Sequence, residues 1–299
     1  MIFSNKTAQE KRQDLTRNLK TKKCLRFVGA FTPLVARMIE KKAFDGVYVS
    51  GAVVSNDQGW PDVGLTTLDE VSCRASQIAQ WTKLPCLVDA DTGFGEAMNC
   101  ARTVVEMEQK GLAGLHIEDQ QFPKRCGHLD HKKLISVDEM CLKIKSAVQA
   151  RKDKNFLIIA RTDARGVSGI EDAIERAKAY VEAGADMIFP ESLSSIKEFE
   201  KFRSEVETLL LANMTEFGKT EIIPHKVFET IGYNLLIYPV TTWRLALKAV
   251  EEGLKQLHQD QQKDMLSQMQ TREELYEWLR YKEYQKFDQE AFNFKKDKK

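Results

Sequence analysis

Phe156-Leu157-Ile158-Ile159-Ala160-Arg161-Thr162-Asp163 is a run of five apolar residues that ends abruptly in an arginine, a hydroxyl and an acid. A short unbroken apolar run with polar residues at its end reads as a strand buried on both faces, the kind from which parallel sheets are made. The same grammar recurs along the chain. Residues 25–30 form one such run, and 47–49 end in Ser50-Gly51-Ala52. Residues 85–88 end in Asp89-Ala90-Asp91-Thr92-Gly93-Phe94-Gly95, and 113–117 end in Glu118-Asp119. Residues 186–189 end in Pro190-Glu191, 208–212 in Asn213-Met214-Thr215, and 233–238 in Pro239.

Helical patterns separate these runs, over residues 34–43, 67–81, 96–110, from 136 onward, 171–183, 195–206 and 225–231. Thr67 with Glu70 and Ser136 with Glu139 have the spacing of capping boxes, while Gly111 and Gly184 supply C-terminal stops. Residues 55–64, rich in Gly, Asn, Asp and Pro, read as a loop. Three further helical stretches, 242–257, 259–268 and 271–287, finish the chain. Eight strands alternating with helices imply parallel βαβ units, hence an α/β fold, and point to a closed (β/α)8 TIM-type barrel. A doubly wound open sheet is the competitor, but no G-x-G-x-x-G is present; Gly93-Phe94-Gly95 lacks the third glycine. The expected organisation is one barrel domain over 1–299, with an N-terminal helical extension (1–23) and a C-terminal helical segment and tail (259–299).

Composition bounds the rest. In 299 residues, 45 Lys and Arg balance 44 Asp and Glu, so no electrostatic footprint for nucleic acid or an anionic membrane is expected. The six cysteines form no C-x-x-C pair, and no apolar run is long enough to span a bilayer. Met1 to Lys23 is polar and is not expected to be a secretory signal. Lys295-Lys296-Asp297-Lys298-Lys299 reads as a solvated tail. A reducing, cytoplasmic location is the expectation.

Barrel enzymes work at the C-terminal ends of their strands, and Ser50, Asp89, Asp91, Glu118, Arg161, Glu191 and Asn213 all fall there. Asp89, Asp91 and Glu118 offer hard oxygen ligands suited to Mg²⁺ or Mn²⁺. Arg161 offers a planar fork for a carboxylate or phosphate. His116, inside its strand, reads as a core histidine, and His131, His225 and His258 have no company that marks them. Lys124-Arg125-Cys126-Gly127-His128 places a thiol among cations, a setting expected to lower its pKa. Metal, arginine and cysteine together point to a carboxylate-bearing substrate. Residue chemistry leaves open whether Cys126 acts as general acid or as nucleophile.

The ordered set Tyr48-Val49-Ser50-Gly51-Ala52, Pro61-Asp62-x-Gly64, Asp89-Ala90-Asp91-Thr92-Gly93-x-Gly95, His116-Ile117-Glu118-Asp119, Lys124-Arg125-Cys126-Gly127-His128, Ala160-Arg161-Thr162-Asp163, Pro190-Glu191 and Asn213-Met214-Thr215 resembles the isocitrate lyase and phosphoenolpyruvate mutase superfamily. Within it, the length and the cysteine motif resemble the 2-methylisocitrate lyases of the methylcitrate cycle in propionate catabolism. The resemblance implies Mg²⁺-dependent cleavage of the small tricarboxylate (2S,3R)-2-methylisocitrate to pyruvate and succinate, with Mn²⁺ as an alternative metal. It implies that Asp89 and Asp91 hold the metal, with Glu118 and Asp62 in the outer shell. Cys126 would be the general acid, Arg161, Tyr48 and His128 further catalytic residues, and Tyr48 the candidate acceptor of the hydroxyl proton. Ser50, Gly51, Ala52, Cys126, Gly127, Arg161, Glu191, Asn213, Met214, Thr215, Arg244 and Arg272 would bind substrate. A homotetramer with a C-terminal helix exchanged between subunits is implied too. Ala52-Val53-Val54 departs from the more glycine-rich stretch usual in this group, which alters one pocket wall. The alternatives are a short isocitrate lyase giving glyoxylate and succinate, and a carboxylate-binding barrel without turnover.

Overall fold

The computed structural model describes residues 6–21 and 24–292; the basic residues 295–299 lie outside the described residues. The described residues divide into two compact units, 6–243 and 244–292. The division therefore falls inside a helix, upstream of the expected boundary at 259.

The first unit begins with α1 (Ala8–Thr21) and then alternates β1 (Leu25–Gly29), α2 (Pro33–Lys41), β2 (Gly46–Val49), α3 (Gly51–Asp57), α4 (Leu68–Gln80), β3 (Cys86–Asp89), α5 (Ala97–Gln109) and β4 (Gly114–Glu118). It continues with α6 (Val137–Ala150), β5 (Leu157–Thr162), a 3₁₀ turn (Ala164–Gly166), α7 (Ile170–Glu182), β6 (Met187–Pro190), α8 (Ile196–Glu205), β7 (Leu209–Asn213), α9 (His225–Ile231) and β8 (Leu235–Tyr238). The eight strands form a closed barrel in sequence order, every neighbouring pair parallel, and β1 closes on β8 with Leu25 opposite Leu235. The expected TIM-type barrel is what the chain forms.

Side-chain alternation sorts the strands into two cores. Phe27, Tyr48, Leu87, Leu157, Ile159, Met187, Phe189, Leu211, Leu235 and Ile237 fill the barrel, joined from below by Leu15 and Leu19 of α1. Val47, Val49, Val88, Leu115, Ile117, Ile158, Ala160, Ile188, Leu210 and Ala212 face the helices instead. Stepping by two from the interior set gives Asp89, Arg161, Glu191 and Asn213. The period-2 rule thus delivers these polar residues to the inside of the mouth.

Both capping boxes form: Thr67 and Ser136 accept from the N3 backbone of α4 and α6, and Glu70 and Glu139 answer. Gly111 and Gly184 take positive φ after α5 and α7. The structure differs from expectation in three places. The segment after Ser50 is helical (α3), where the sequence reads as strand end and loop. Residues 259–268 are mostly turns with a short 3₁₀ stretch, Leu266–Gln268. The last helical stretch is two helices, because Arg280 adopts φ 58° and breaks it.

The second unit takes up most of α10 (Thr241–His258), followed by α11 (Arg272–Trp278) and α12 (Tyr281–Phe292). Within it, Thr271 and Glu274 form a further capping box, and Tyr276 stacks on Tyr281 at 4.6 Å between ring centroids.

Candidate active site

The carboxylates at the mouth are arranged by β3 and β4. Asp91 is a non-glycine residue at φ 47°, a conformation that costs free energy and recurs at functional sites. It is held there by its own N–H donating to Asp89 Oδ1 (3.0 Å) and by its carbonyl accepting from Glu118 N (2.9 Å). Gly51, the first residue of α3, donates its N–H to Asp89 Oδ2 at 3.3 Å. A Cβ at Gly51 would lie 3.0 Å from Asp89 Oδ2 and 3.2 Å from Asp91 Oδ1, so the glycine lets the helix start against both acids. Ser50 is buried as the N-cap of that helix without a side-chain cap bond.

Burial is the dominant influence on these acids. It pushes Asp91 up to about 6, with the charge of Asp89 adding to it and Lys124 opposing. It pushes Glu118 well above the usual carboxylate range against the pull of Arg161. Burial acts on Asp89 too, but the charges of Lys124 and Arg161 and the hydrogen bond from the Asp91 N–H help to hold that carboxyl below its ordinary value.

Among the described residues no three His, Cys, Asp or Glu side chains converge as a ready-made metal cluster. Both Glu118 carboxylate oxygens are nonetheless buried without a hydrogen bond, and Asp91 Oδ1 has only the Lys124 ammonium, at 2.6 Å. Mg²⁺ takes only one or two direct carboxylates and keeps several waters, so an all-oxygen set with orphaned atoms fits Mg²⁺ or Mn²⁺.

Arg161 extends from β5 into the centre. Its Nε donates to Asp163 Oδ2 at 2.9 Å, and its other nitrogens lie 3.3 Å from Glu118 Oε2 and 3.4 Å from Glu191 Oε2. Asn213 Nδ2 donates to Glu191 Oε2 at 3.3 Å, while its Oδ1 is buried and unpaired. Arg161 and His128 between them hold Glu191 below the usual carboxylate range despite its burial.

The thiol motif is tied down almost residue by residue. Lys124 pairs with Asp62 and lies 2.6 Å from Asp91 Oδ1. Gln120 brackets the Arg125 backbone, accepting from its N–H (2.9 Å) and donating to its carbonyl (2.8 Å). Gly127 sits so close to the centre that a Cβ would fall 2.4 Å from both an Arg161 nitrogen and Glu191 Cγ. His128 Nε2 lies 3.1 Å from Glu191 Oε1, and its Nδ1 accepts from Lys219 N at 3.0 Å.

One expectation is reversed here. Burial raises the Cys126 thiol above its ordinary 9.0, and the charges of Asp62 and Glu191 add to that; the His128 N–H and Arg161 only partly oppose it. Lys124 does not activate the thiol because its charge is spent on Asp62 and Asp91. A thiol in this state is a proton donor at neutral pH and not a ready nucleophile.

Tyr48 and His116 form a pair the sequence does not announce. The Tyr48 hydroxyl is 2.7 Å from His116 Nε2, the rings stack at 5.9 Å, and His116 Nε2 is 3.7 Å from Asp89 Oδ1. Burial drives His116 down to about 4, so the ring is neutral and its Nε2 shares one hydrogen bond with the tyrosine hydroxyl. His116 points into the mouth by the same parity as Glu118, and that alternation is the signal that could have found it. Of the remaining expected residues, Ala52 follows Gly51 in α3. Met214 packs in the core between barrel and helices and accepts from Ile223 N, and Thr215 lies just beyond it. Arg244 and Arg272 belong to the second unit, on α10 and α11.

The chain forms a closed parallel barrel with an acid-rich mouth, a buried arginine and a cysteine loop, and residues 15–258 match the model of the phosphoenolpyruvate phosphomutase family. The chain belongs to this family. It is 55% identical over 298 residues to a probable 2-methylisocitrate lyase 2 of Corynebacterium glutamicum, covering 99% of this chain and 97% of the relative. It is 50% identical over 264 residues to a 2-methylisocitrate lyase of Aeropyrum pernix, covering 88% and 85%. Among solved structures it superimposes on phosphonopyruvate hydrolase in complex with oxalate and Mg²⁺, with a TM-score of 0.85 and 27% identity over 95% of this chain and 99% of the other.

Proposed function

We propose that the chain cleaves (2S,3R)-2-methylisocitrate to pyruvate and succinate, the lyase step of the methylcitrate cycle, with Cys126 as general acid. It is a carbon–carbon lyase. The observation that carries the mechanism is a half-buried Cys126 thiol whose loop is fastened to Asp91 on one side and abuts Arg161 and Glu191 on the other, with burial pushing its pKa up.

Asp89 and Asp91 would hold Mg²⁺ or Mn²⁺, partly through waters, with Glu118 and Asp62 outside them. When bound, such an ion supplies Lewis-acid stabilisation of negative charge developing on substrate oxygens. Arg161 presents its fork to a substrate carboxylate, while Glu191 and Asn213 fix the direction of that fork. Ser50, Gly51, Ala52, Gly127, Met214 and Thr215 complete the proposed binding set.

As the carbon–carbon bond breaks, the hydroxyl proton passes to the Tyr48 oxygen as the phenol's own proton moves across the 2.7 Å contact to His116 Nε2, which becomes an imidazolium beside Asp89. The bonding pair stays on the succinate carbon, and the Cys126 proton is delivered there. The thiolate left behind is stabilised by the His128 N–H and by Arg161, the two influences that favour its charged form. His128 serves by keeping that backbone in place through Glu191.

We also propose a homotetramer with a helix exchanged between subunits. α10 buries none of its residues within the chain, and Leu245, Val250 and Leu254 are 67%, 58% and 61% exposed. No described helix is long and apolar enough to cross a membrane. The deciding experiment is product identification with purified protein and Mg²⁺. Pyruvate from 2-methylisocitrate, with negligible glyoxylate from isocitrate, is expected; the opposite pattern defeats the proposal.

A further inference from the structure

Four residues beyond the thiol motif's histidine, Lys132 is buried, its side chain 1% exposed. A lysine loses most of its rotamer freedom and its hydration in such a place, so its contacts are specific ones. Its ammonium donates to the Gly127 carbonyl and, at 2.8 Å, to Asp163 Oδ1. Asp163 is the carboxylate that also receives Arg161 Nε. The Gly127 carbonyl is held a second time by Ser192 Oγ at 2.9 Å. Gly166, in the 3₁₀ turn after β5, leaves the room this requires: a Cβ there would lie 3.3 Å from Lys132 Nζ.

Two groups that must meet the same substrate therefore share one cation. Arg161 is fixed by Asp163, Asp163 by Lys132, and Lys132 by the carbonyl of the residue next to Cys126. We propose that Lys132 is a positioning residue that sets the distance between the Cys126 thiol and the Arg161 guanidinium. This rests on the lyase reading for its effect on turnover, but not for its effect on the loop. Without the ammonium, the Gly127 carbonyl keeps only Ser192, and the thiol loop moves independently of β5.

The test uses the full-length protein with Lys132→Met, Lys132→Arg and Gly166→Ala. Lys132→Met lowers kcat on the order of 100-fold, the scale of an ångström's misplacement, with KM changed by less than about threefold. In the absence of substrate, iodoacetamide labels Cys126 faster than in the wild type, followed peptide by peptide, while the exposed Cys73 is unchanged. Lys132→Arg restores much of the turnover. A kcat for Lys132→Met within about threefold of wild type, or an unchanged Cys126 labelling rate, overturns the proposal. Should Lys132→Met fail to fold, Gly166→Ala decides: a smaller change of the same two kinds supports the proposal, and wild-type behaviour in both overturns it. A wild-type protein that leaves 2-methylisocitrate intact removes the lyase reading alone, because the labelling comparison still decides the loop's anchor.

Discussion

Lys124 Nζ lies 2.6 Å from Asp91 Oδ1 and also pairs with Asp62, so the cation beside the thiol serves the acids and not the sulfur. This pairing explains how a motif rich in bases can contain a protonated cysteine. It also neutralises part of a buried acidic cluster that would otherwise repel itself.

Removing that cation is therefore a stability experiment. Lys124→Met leaves Asp62 and Asp91 facing each other without their partner, and breaking a buried pair from one side costs about 3–5 kcal/mol. Urea denaturation of the variant should show a loss of this order, with part of it recovered when millimolar Mg²⁺ is added. An unchanged midpoint would mean the pair contributes nothing.

Cys126→Ser tests the proton donor. The hydroxyl is a far weaker acid than the thiol, so turnover should fall by about three orders of magnitude or more, in the upper range for losing a general acid. Binding of substrate and Mg²⁺, followed by calorimetry, should persist, since the loop's anchors at Lys124, Gly127 and His128 do not involve the sulfur. Near-normal kcat in this variant would end the assignment.

The raised thiol has a pH signature of its own. Only the thiolate alkylates, and burial holds the Cys126 pKa above 9.0. The labelling rate at Cys126 should therefore climb about tenfold per pH unit through neutrality and up to pH 9 without levelling. A plateau beginning near pH 7 would show an activated thiolate instead, as the bare motif suggests.

The barrel and the positions of Asp89, Arg161, Glu191 and Asn213 were legible because both follow from periodicity. An apolar run buried on both faces marks each strand, and the next interior step past its end lands on a mouth residue. Three things were not legible. α3 contains Val53-Val54 and Asn56-Asp57, poor helix formers, and is helical because Gly51 can pack against Asp89 and Asp91. His116 looked like a core residue because its partners, Tyr48 on β2 and Asp89 on β3, lie on other strands and not in adjacent sequence. The sign of the Cys126 shift depended on burial and on where Lys124 points, and neither is a local property of five residues.

Tyr48→Phe separates packing from proton transfer at the other side of the mouth. The ring keeps its place in the barrel core, but His116 Nε2 loses the hydroxyl that lies 2.7 Å away. An unsatisfied buried nitrogen costs about 1–3 kcal/mol, which denaturation should register. If the phenolic oxygen is also the hydroxyl's proton acceptor, kcat should fall about 100-fold or more, as for a lost general base. A variant that loses stability by this amount yet keeps its kcat would leave Tyr48 a structural partner of His116 and move the base elsewhere.

Gly127→Ala is the sharpest geometric test. A methyl there falls 2.4 Å from both an Arg161 nitrogen and Glu191 Cγ, contacts that no real Cβ tolerates. Arg161 is locked to Asp163 and Glu191 is buried among its own partners, so the thiol loop is the element that has room to yield. It should lift away from the mouth, separating Cys126 from Arg161 while the barrel below stays folded. Turnover should fall on the order of 100-fold from a displacement of about 1 Å, and the thermal midpoint should move little. Wild-type turnover in this variant would show that the thiol and the guanidinium need not meet over one substrate, and the general-acid mechanism would fall with that result.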